Sequence, residues 1–289
     1  MSNGRLHIRS KTLALLLLVL IVSCRAGGVS QLSDFSERDA ALSPSIRIVD
    51  WNTQKGRNSQ FRSDLAILIE RYEPDIVFLQ EARADLLETY QMGGYFAEGW
   101  SYPWPGGTTI GVMTLSKVAP LEIKPIPSKY REFCVTAPKV SLMTKLPLPN
   151  GDTLLAANVH LLAFERWGTK KLRSQLDDLK SIMADHKGPI IMAGDFNTWR
   201  EKRLELVREL AKELNLQEVT EFPPGRTTAD MRLSCLNWIF GIEKDLPLDR
   251  LYYRGFTDYS AELLPYDSSD HRAILVTLTL KPKNPVASR

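Results

Sequence analysis

The chain has 289 residues, enough for one large buried core or two small ones, and a globular composition with no low-complexity tract or fixed-period repeat. Its 37 Lys and Arg against 34 Asp and Glu give a net charge of +3, but residues 1–23 hold three basic and no acidic side chains, so the remainder carries 34 of each. A neutral remainder excludes the global electrostatic footprint of a tight, non-specific nucleic-acid binder and leaves room only for a local basic patch.

In chain order, Arg5, Arg9 and Lys11 precede an uncharged apolar run over residues 12–22. The run is too short to cross a bilayer as a helix and suits a signal-peptide core. Ile21-Val22-Ser23-Cys24 resembles the bacterial lipobox, in which the cysteine is lipidated and becomes the first residue of the mature protein. The expected organisation is a signal peptide over residues 1–23, a polar tether over 24–44, one domain over 45–282 and a tail over 283–289. That places a monomeric domain in the bacterial cell envelope, extracytoplasmic and lipid-anchored to a membrane at Cys24. A signal cut elsewhere, giving a secreted domain, or a single uncleaved N-terminal anchor is the alternative. Cys134 and Cys235 are readable either as a disulfide in an oxidising envelope or as two buried thiols.

Residues 46–49 read as a strand ending at Asp50, Trp51 and Asn52. Phe61, Leu65, Leu68, Ile69 and Tyr72 then share one face of a helix that Pro74 ends. Residues 75–79 form a second buried strand running into Gln80 and Glu81, so this strand–helix–strand unit sets Asn52 and Glu81 at equivalent strand ends. Residues 109–115, 139–145 and 153–159 are strand candidates, punctuated by Gly106-Gly107, by Pro125 and Pro127, and by Pro149-Asn150-Gly151. Trp100-Ser101-Tyr102-Pro103-Trp104-Pro105 reads as sheet-packing aromatics, with a substrate- or membrane-facing loop as the alternative. The strand over 153–159 ends in Asn158-Val159-His160, and a helix with Leu172, Leu176, Leu179 and Met183 on its apolar face follows. Residues 189–193 make a short buried strand that stops at Gly194-Asp195-Phe196-Asn197. Strand alternation points Asp195 and Asn197 to one side and Phe196 towards the core. A helix carrying Leu204, Val207, Leu210 and Leu214 comes next. Asp249 opens a strand through Tyr253, and Ser269-Asp270-His271 precede a last strand over 273–280.

Six segments thus put polar, acidic or imidazole groups at strand ends: Asn52, Glu81, His160, Asp195 with Asn197, Asp249, and Asp270 with His271. Singly, each has a structural explanation: a turn asparagine, an acid at a helix start, a core histidine, a strand-edge charge. Together they are nearly all the polar groups that interrupt apolar strands, which points to one site. His7 lies in the signal, and His186 stands at a helix end, where an imidazole meets carbonyls. Oxygen ligands without thiolates suit a hard cation, Mg²⁺ or Mn²⁺, held by Glu81, the Asn52 side-chain carbonyl and Asp270. No histidine pair has zinc spacing, and neither a Gly-rich phosphate loop nor a Gly-x-Ser-x-Gly elbow is present. A carboxylate, an amide, two imidazoles and one cation fit attack of water on a phosphate ester.

Trp51-Asn52, Leu79-Gln80-Glu81, Asn158-Val159-His160-Leu161, Gly194-Asp195-Phe196-Asn197 and Ser269-Asp270-His271, in this order, resemble the endonuclease/exonuclease/phosphatase superfamily, and the chain looks most like an uncharacterised bacterial branch of it. The resemblance covers residues 46–280 and implies an α+β fold, a four-layer α/β/β/α sandwich of two mostly antiparallel sheets (DNase I-like). It further implies that Asn52, Glu81 and Asp270 serve the metal, and that His160 contacts the phosphate and protonates the leaving oxygen. Asp195 would orient or deprotonate the water, Asn197 would fix a phosphate oxygen, and His271 would grip the scissile phosphate with Asp249 behind it. Some members carry a further acid near Gln54; this chain has none, which speaks against a second ion. Leu236-Asn237-Trp238-Ile239-Phe240 also resembles the family's Leu-Asp-Tyr-Ile-Phe strand, so Asn237 is the alternative to Asp249. The implied substrate is a nucleic-acid, nucleotide or phospholipid phosphate ester. A catalytically silent, membrane-tethered binding lipoprotein of the same fold is the competing reading.

Overall fold

The structure, a computed structural model, describes residues 28–33, 35, 40–87, 92–101, 108–131, 138–165, 168–220 and 247–282. The signal segment, Cys24, Cys134, Cys235, Asn237, Tyr102 to Pro105 and the tail lie outside the described residues. The first elements are β1 (Val29–Ser33), β2 (Ser45–Asn52), α1 (Phe61–Tyr72), β3 (Ile76–Arg83), β4 (Gly93–Ser101) and β5 (Thr109–Ser116). Then come β6 (Glu122–Arg131), β7 (Pro138–Pro147), β8 (Thr153–His160), α2 (Lys170–Met183), β9 (Ile190–Asp195) and α3 (Glu201–Glu213). The last are β10 (Gln217–Glu218), β11 (Asp249–Arg254), β12 (Phe256–Leu263) and β13 (Ile274–Leu280). No described helix is long and apolar enough to cross a membrane.

Alternation along the strands sets the layers. Ile46 and Ile48 of β2, Ile76 and Phe78 of β3, Leu154 and Ala156 of β8, Ile191 and Ala193 of β9, and Leu251 of β11 meet in one core between the sheets. The intervening residues face outward onto helices. Val49, Trp51, Val77 and Leu79 pack on Phe61, Leu65 and Leu68 of α1, while Leu155, Ala157, Ile190 and Met192 pack on α2 and α3. Each of the large side chains so buried contributes about 1.5–3 kcal/mol. The result is a helix–sheet–sheet–helix sandwich.

One sheet has the order β1-β4-β5-β3-β2-β13-β12 and the other β10-β11-β9-β8-β7-β6. Each has one parallel pair near its middle, β2 with β3 and β8 with β9, and every other pairing is antiparallel. A helix links the members of each parallel pair, so both members end at the same edge of the sandwich. In register Asn52 stands opposite Gln80, His160 opposite Asp195, and Asp195 opposite Asp249.

Two expectations change. The tether over 24–44 is partly inside the domain: Val29–Ser33 pairs with β4, and Leu42 is buried, its N–H donating to the Pro147 carbonyl at 3.0 Å. Five residues of mixed polarity gave no strand signal, but β4 offered an edge. Pro125 and Pro127 do not interrupt the sheet either; both lie within β6. Among the described residues β6 pairs only with β7, so its outer edge tolerates a residue without an N–H.

Candidate active site

The interior face of these strands turns polar as it nears the shared edge. Asp50, Gln80 and Asn158 form a buried lower tier: Gln80 Nε2 donates to Asp50 Oδ1 at 2.8 Å and to Asn158 Oδ1 at 2.9 Å. Asn158 Nδ2 donates in turn to the Met113 carbonyl at 2.8 Å, tying the two sheets together beneath the site.

The upper tier holds the residues expected from sequence. Asn52 Nδ2 donates to Asp195 Oδ2 at 3.0 Å, and Asn52 Oδ1 accepts the Gln54 N–H at 3.0 Å. Asp195 Oδ1 accepts the Asn197 N–H at 2.9 Å, and His160 Nε2 lies 3.7 Å from Asp195 Oδ2. His271 Nδ1 donates to Asp249 Oδ2 at 2.7 Å, and the His271 carbonyl accepts Trp51 Nε1–H at 2.9 Å. Asp249, within the described residues, is therefore the carboxylate behind His271. Ser269 Oγ donates to the Asn52 carbonyl at 2.6 Å, fixing the turn that carries Asp270 and His271. Phe196 is fully buried against Tyr252, as alternation requires. Asn197 is not simply extended: its φ is +51°, and its Nδ2 donates to the Leu161 carbonyl at 3.0 Å. Buried Arg203 of α3 secures that loop, donating from Nε to the Asn197 carbonyl at 2.7 Å and from Nη2 to the Leu162 carbonyl.

Glu81 stands one residue beyond the Asn52–Gln80 pair, where the β3–β5 register shifts. This irregularity, with φ +49°, re-aims its side chain. Thr53 Oγ1 donates to the Glu81 carbonyl at 3.0 Å. Gln54 and Lys55 are also left-handed, at φ +48° and +61°. Such backbones cost Gln, Lys and Glu roughly 1–2 kcal/mol each, and gather where surroundings over-determine them. The turn brings Lys55 Nζ to 2.8 Å from Glu81 Oε2. Lys139 of β7 reaches Glu81 Oε1 at 3.5 Å and His160 Nε2 at 2.8 Å. Sequence reasoning assigned no role to either lysine; the faint signal was Lys55 beside Gly56, three residues past a strand-end asparagine.

Protonation follows from these contacts. Burial alone would raise the Glu81 carboxyl, but the Lys139 and Lys55 ammonium groups outweigh it and hold the group anionic. Burial and then the Lys139 ammonium push His160 well below the usual imidazole range, so its Nε2 is an acceptor for Lys139. His271 goes the other way: burial opposes its charge, but Asp249, with Asp195 and Asp270 behind it, raises it to about 10. Burial, opposed by His271 and reinforced by Asp249, raises Asp195 to about 7. Asp270 is also raised by burial, then lowered in part by His271.

All eight expected residues meet at this edge, Asp270 and Glu81 at its outer side. Two donor sets could take a cation. Asp195, Asp249 and His271 offer ligand atoms within 4.8 Å of one another. In that set Asp249 Oδ2 holds the imidazolium, and both Asp195 oxygens accept hydrogen bonds. Glu81, Asn52 and Asp270 supply hard oxygen donors of the kind that suits Mg²⁺ or Mn²⁺, and the Glu81 carboxylate is held anionic.

A two-sheet sandwich flanked by helices, with carboxylates, amides and imidazoles at one edge, is the DNase I-like architecture. Residues 51–271 match the Endonuclease/Exonuclease/phosphatase family. The chain belongs to that family. It is 32% identical over 237 residues to the UPF0294 protein of Vibrio campbellii (strain ATCC BAA-1116), covering 81% of this chain and 78% of that protein. Among solved structures, the endonuclease/exonuclease/phosphatase of Beutenbergia cavernae DSM 12333 superposes with a TM-score of 0.58 at 17% identity, over 82% of this chain and 72% of that one. The AP endonuclease LMAP of Leishmania major gives 0.55 at 14%, over 91% and 98%. At these identities the structures speak for the fold alone.

Proposed function

We propose that the chain is a divalent-metal-dependent phosphoesterase that hydrolyses a nucleic-acid, nucleotide or phospholipid phosphate ester. The observation that carries this reading is the Asn52–Asp195 hydrogen bond, which puts an amide with a free carbonyl lone pair beside a carboxylate that His160 also approaches. Glu81, Asn52 and Asp270 would hold Mg²⁺ or Mn²⁺, which when bound neutralises phosphoryl charge. Asp195, half-ionised near neutrality, accepts a proton from water as it attacks phosphorus, and the ester P–O bond breaks to release the leaving oxygen, which takes its proton from solvent. His271, kept as imidazolium by Asp249, donates a hydrogen bond to a phosphoryl oxygen and strengthens it as charge develops. His160, neutral and facing the same space, is a positioning contact rather than a ready acid.

The test is a panel of DNA, RNA, nucleotides, sphingomyelin, phosphoinositides and a chromogenic diester, each with Mg²⁺, Mn²⁺ or EDTA. Hydrolysis of at least one, abolished by EDTA, is expected. No EDTA-sensitive hydrolysis of any would leave a silent binding protein. The envelope location with a lipid at Cys24 is likewise our proposal, supported by the Arg5, Arg9, Lys11, apolar-run and Cys24 order. Labelled fatty acid should enter the wild-type chain and not Cys24→Ser.

A further inference from the structure

Glu81 is over-compensated. Two ammonium groups face its one carboxylate, Lys55 Nζ at 2.8 Å and Lys139 Nζ at 3.5 Å, and the imidazole beside them is neutral. Both lysine side chains are mostly buried, 26% and 18% exposed, so their stems are held rather than waving in solvent. Lys55 is delivered by a left-handed turn, and Lys139 spans the gap from Glu81 to His160, 2.8 Å from its Nε2. Two fixed cations on one carboxylate at a buried site are available to an oxyanion once that carboxylate is taken by another cation.

We propose that Lys55 and Lys139 form a phosphate clamp that takes non-bridging phosphoryl oxygens and, when no phosphate is present, closes on Glu81 in competition with the divalent ion. The ligand class is a phosphoryl oxyanion, alone or within an ester. The clamp rests on the phosphoesterase reading only for the placing of the cation at Glu81. It makes two bindings interdependent: a cation on Glu81 displaces the ammonium groups, and the displaced groups are then available to phosphate. The coupling must be reciprocal, each ligand tightening the other by the same factor.

The test is calorimetric titration of the full chain in detergent with Mg²⁺, and with inorganic phosphate at zero and saturating Mg²⁺. Wild type should bind phosphate several-fold more tightly with Mg²⁺ present. Lys139→Met and Lys55→Met keep the apolar stem and remove the charge. Each should bind phosphate about tenfold or more weakly yet bind Mg²⁺ more tightly, because a competitor for Glu81 has gone. Lys139→Arg should restore most phosphate binding. A merely structural role would not move the two affinities in opposite directions. Unchanged phosphate affinity, or unchanged or weaker Mg²⁺ binding in both Met variants, overturns the clamp. Cooperative thermal unfolding confirms the fold, and Lys55→Met decides alone if Lys139→Met does not fold. Opposite shifts without hydrolysis of any ester would keep the clamp and remove the phosphoesterase reading; hydrolysis with wild-type binding in both variants would do the reverse.

Discussion

Asn52 at the end of β2 donates its amide hydrogen to Asp195 at the end of β9, 143 positions away and in the opposite sheet, at 3.0 Å. Asp195 is thereby fixed on both oxygens, since Asn197 N–H takes the other. Asp195→Asn cannot reproduce this, because one of its two side-chain heads must present N–H to a donor. We expect turnover on any substrate of the panel to fall about 10²–10⁴-fold, as loss of a general base does. Stability should fall by roughly 1–3 kcal/mol for the mismatched donor. Steady-state kinetics with chemical denaturation checks both, and near-normal turnover would remove Asp195 from the mechanism.

The pH profile should be a bell set by two groups. Asp195 must be ionised, so kcat/KM rises through a limb at or below about 7, lower when the divalent ion is bound nearby. His271 must be protonated, so the rate falls through a limb near 10. Asp249→Asn removes the largest charge holding that proton, and its alkaline limb should move towards the ordinary imidazole value. An unmoved limb would detach it from His271.

Stability in EDTA should follow the same two groups, with signs that can be worked out. His271 has its pKa raised by folding, so its stabilisation is complete below the unfolded value of 6.5 and is lost as pH rises through about 10. Asp195 is raised from 3.8 to about 7, so the fold is penalised progressively as pH climbs through that interval. Thermal melts should therefore show stability lost between pH 4 and 7 and again towards 10. In His271→Ala the second loss should disappear.

The sequence made the inner strands legible because they are short apolar runs that end abruptly in polar residues. Asp249 could be preferred to Asn237 because the strand after it leads towards Ser269-Asp270-His271, and its carboxylate meets His271. His186 was readable as a carbonyl contact, and its Nε2 lies 3.1 Å from the Thr153 and Pro189 carbonyls. Edge strands were not legible. β12 is half polar and β6 contains two prolines, because among the described residues one side of each pairs with nothing. Lys55 and Lys139 escaped because a lysine beside a strand end reads as solvated, and only the left-handed turn and the fold bring both to Glu81.

Gly194 is a backbone requirement of the site. Its φ is +140°, and a Cβ there would stand 1.9 Å from the Val159 carbonyl oxygen, directly beneath the His160–Asp195 pair. Gly194→Ala must spread β8 from β9. A loss of at least about 3 kcal/mol is expected by denaturant unfolding, or failure to fold. A change under about 1 kcal/mol would show the strands to be loosely coupled there.

Asp50 offers the opposite case, a substitution at the site's base that should stabilise. It is fully buried, and burial, with Asp249 behind it, raises its carboxyl well above the usual range. Its Oδ1 accepts from Gln80, but Oδ2 meets no donor, and Gln80 Oε1 lies equally unsatisfied. Asp50 is thus a cost that grows as pH rises from 3.8 towards its raised value and is complete above it. Asp50→Asn keeps an acceptor for Gln80 Nε2, supplies an N–H where Oδ2 has no use for its lone pairs, and removes the buried charge. The variant should match or exceed wild-type stability by roughly 1–2 kcal/mol at neutral pH. The gain should widen at alkaline pH and shrink in acid, where the wild-type carboxyl is already protonated. Melting curves at pH 5 and 9 decide it: a loss of stability at both would mean that the Asp50 carboxylate is charged, paired and needed.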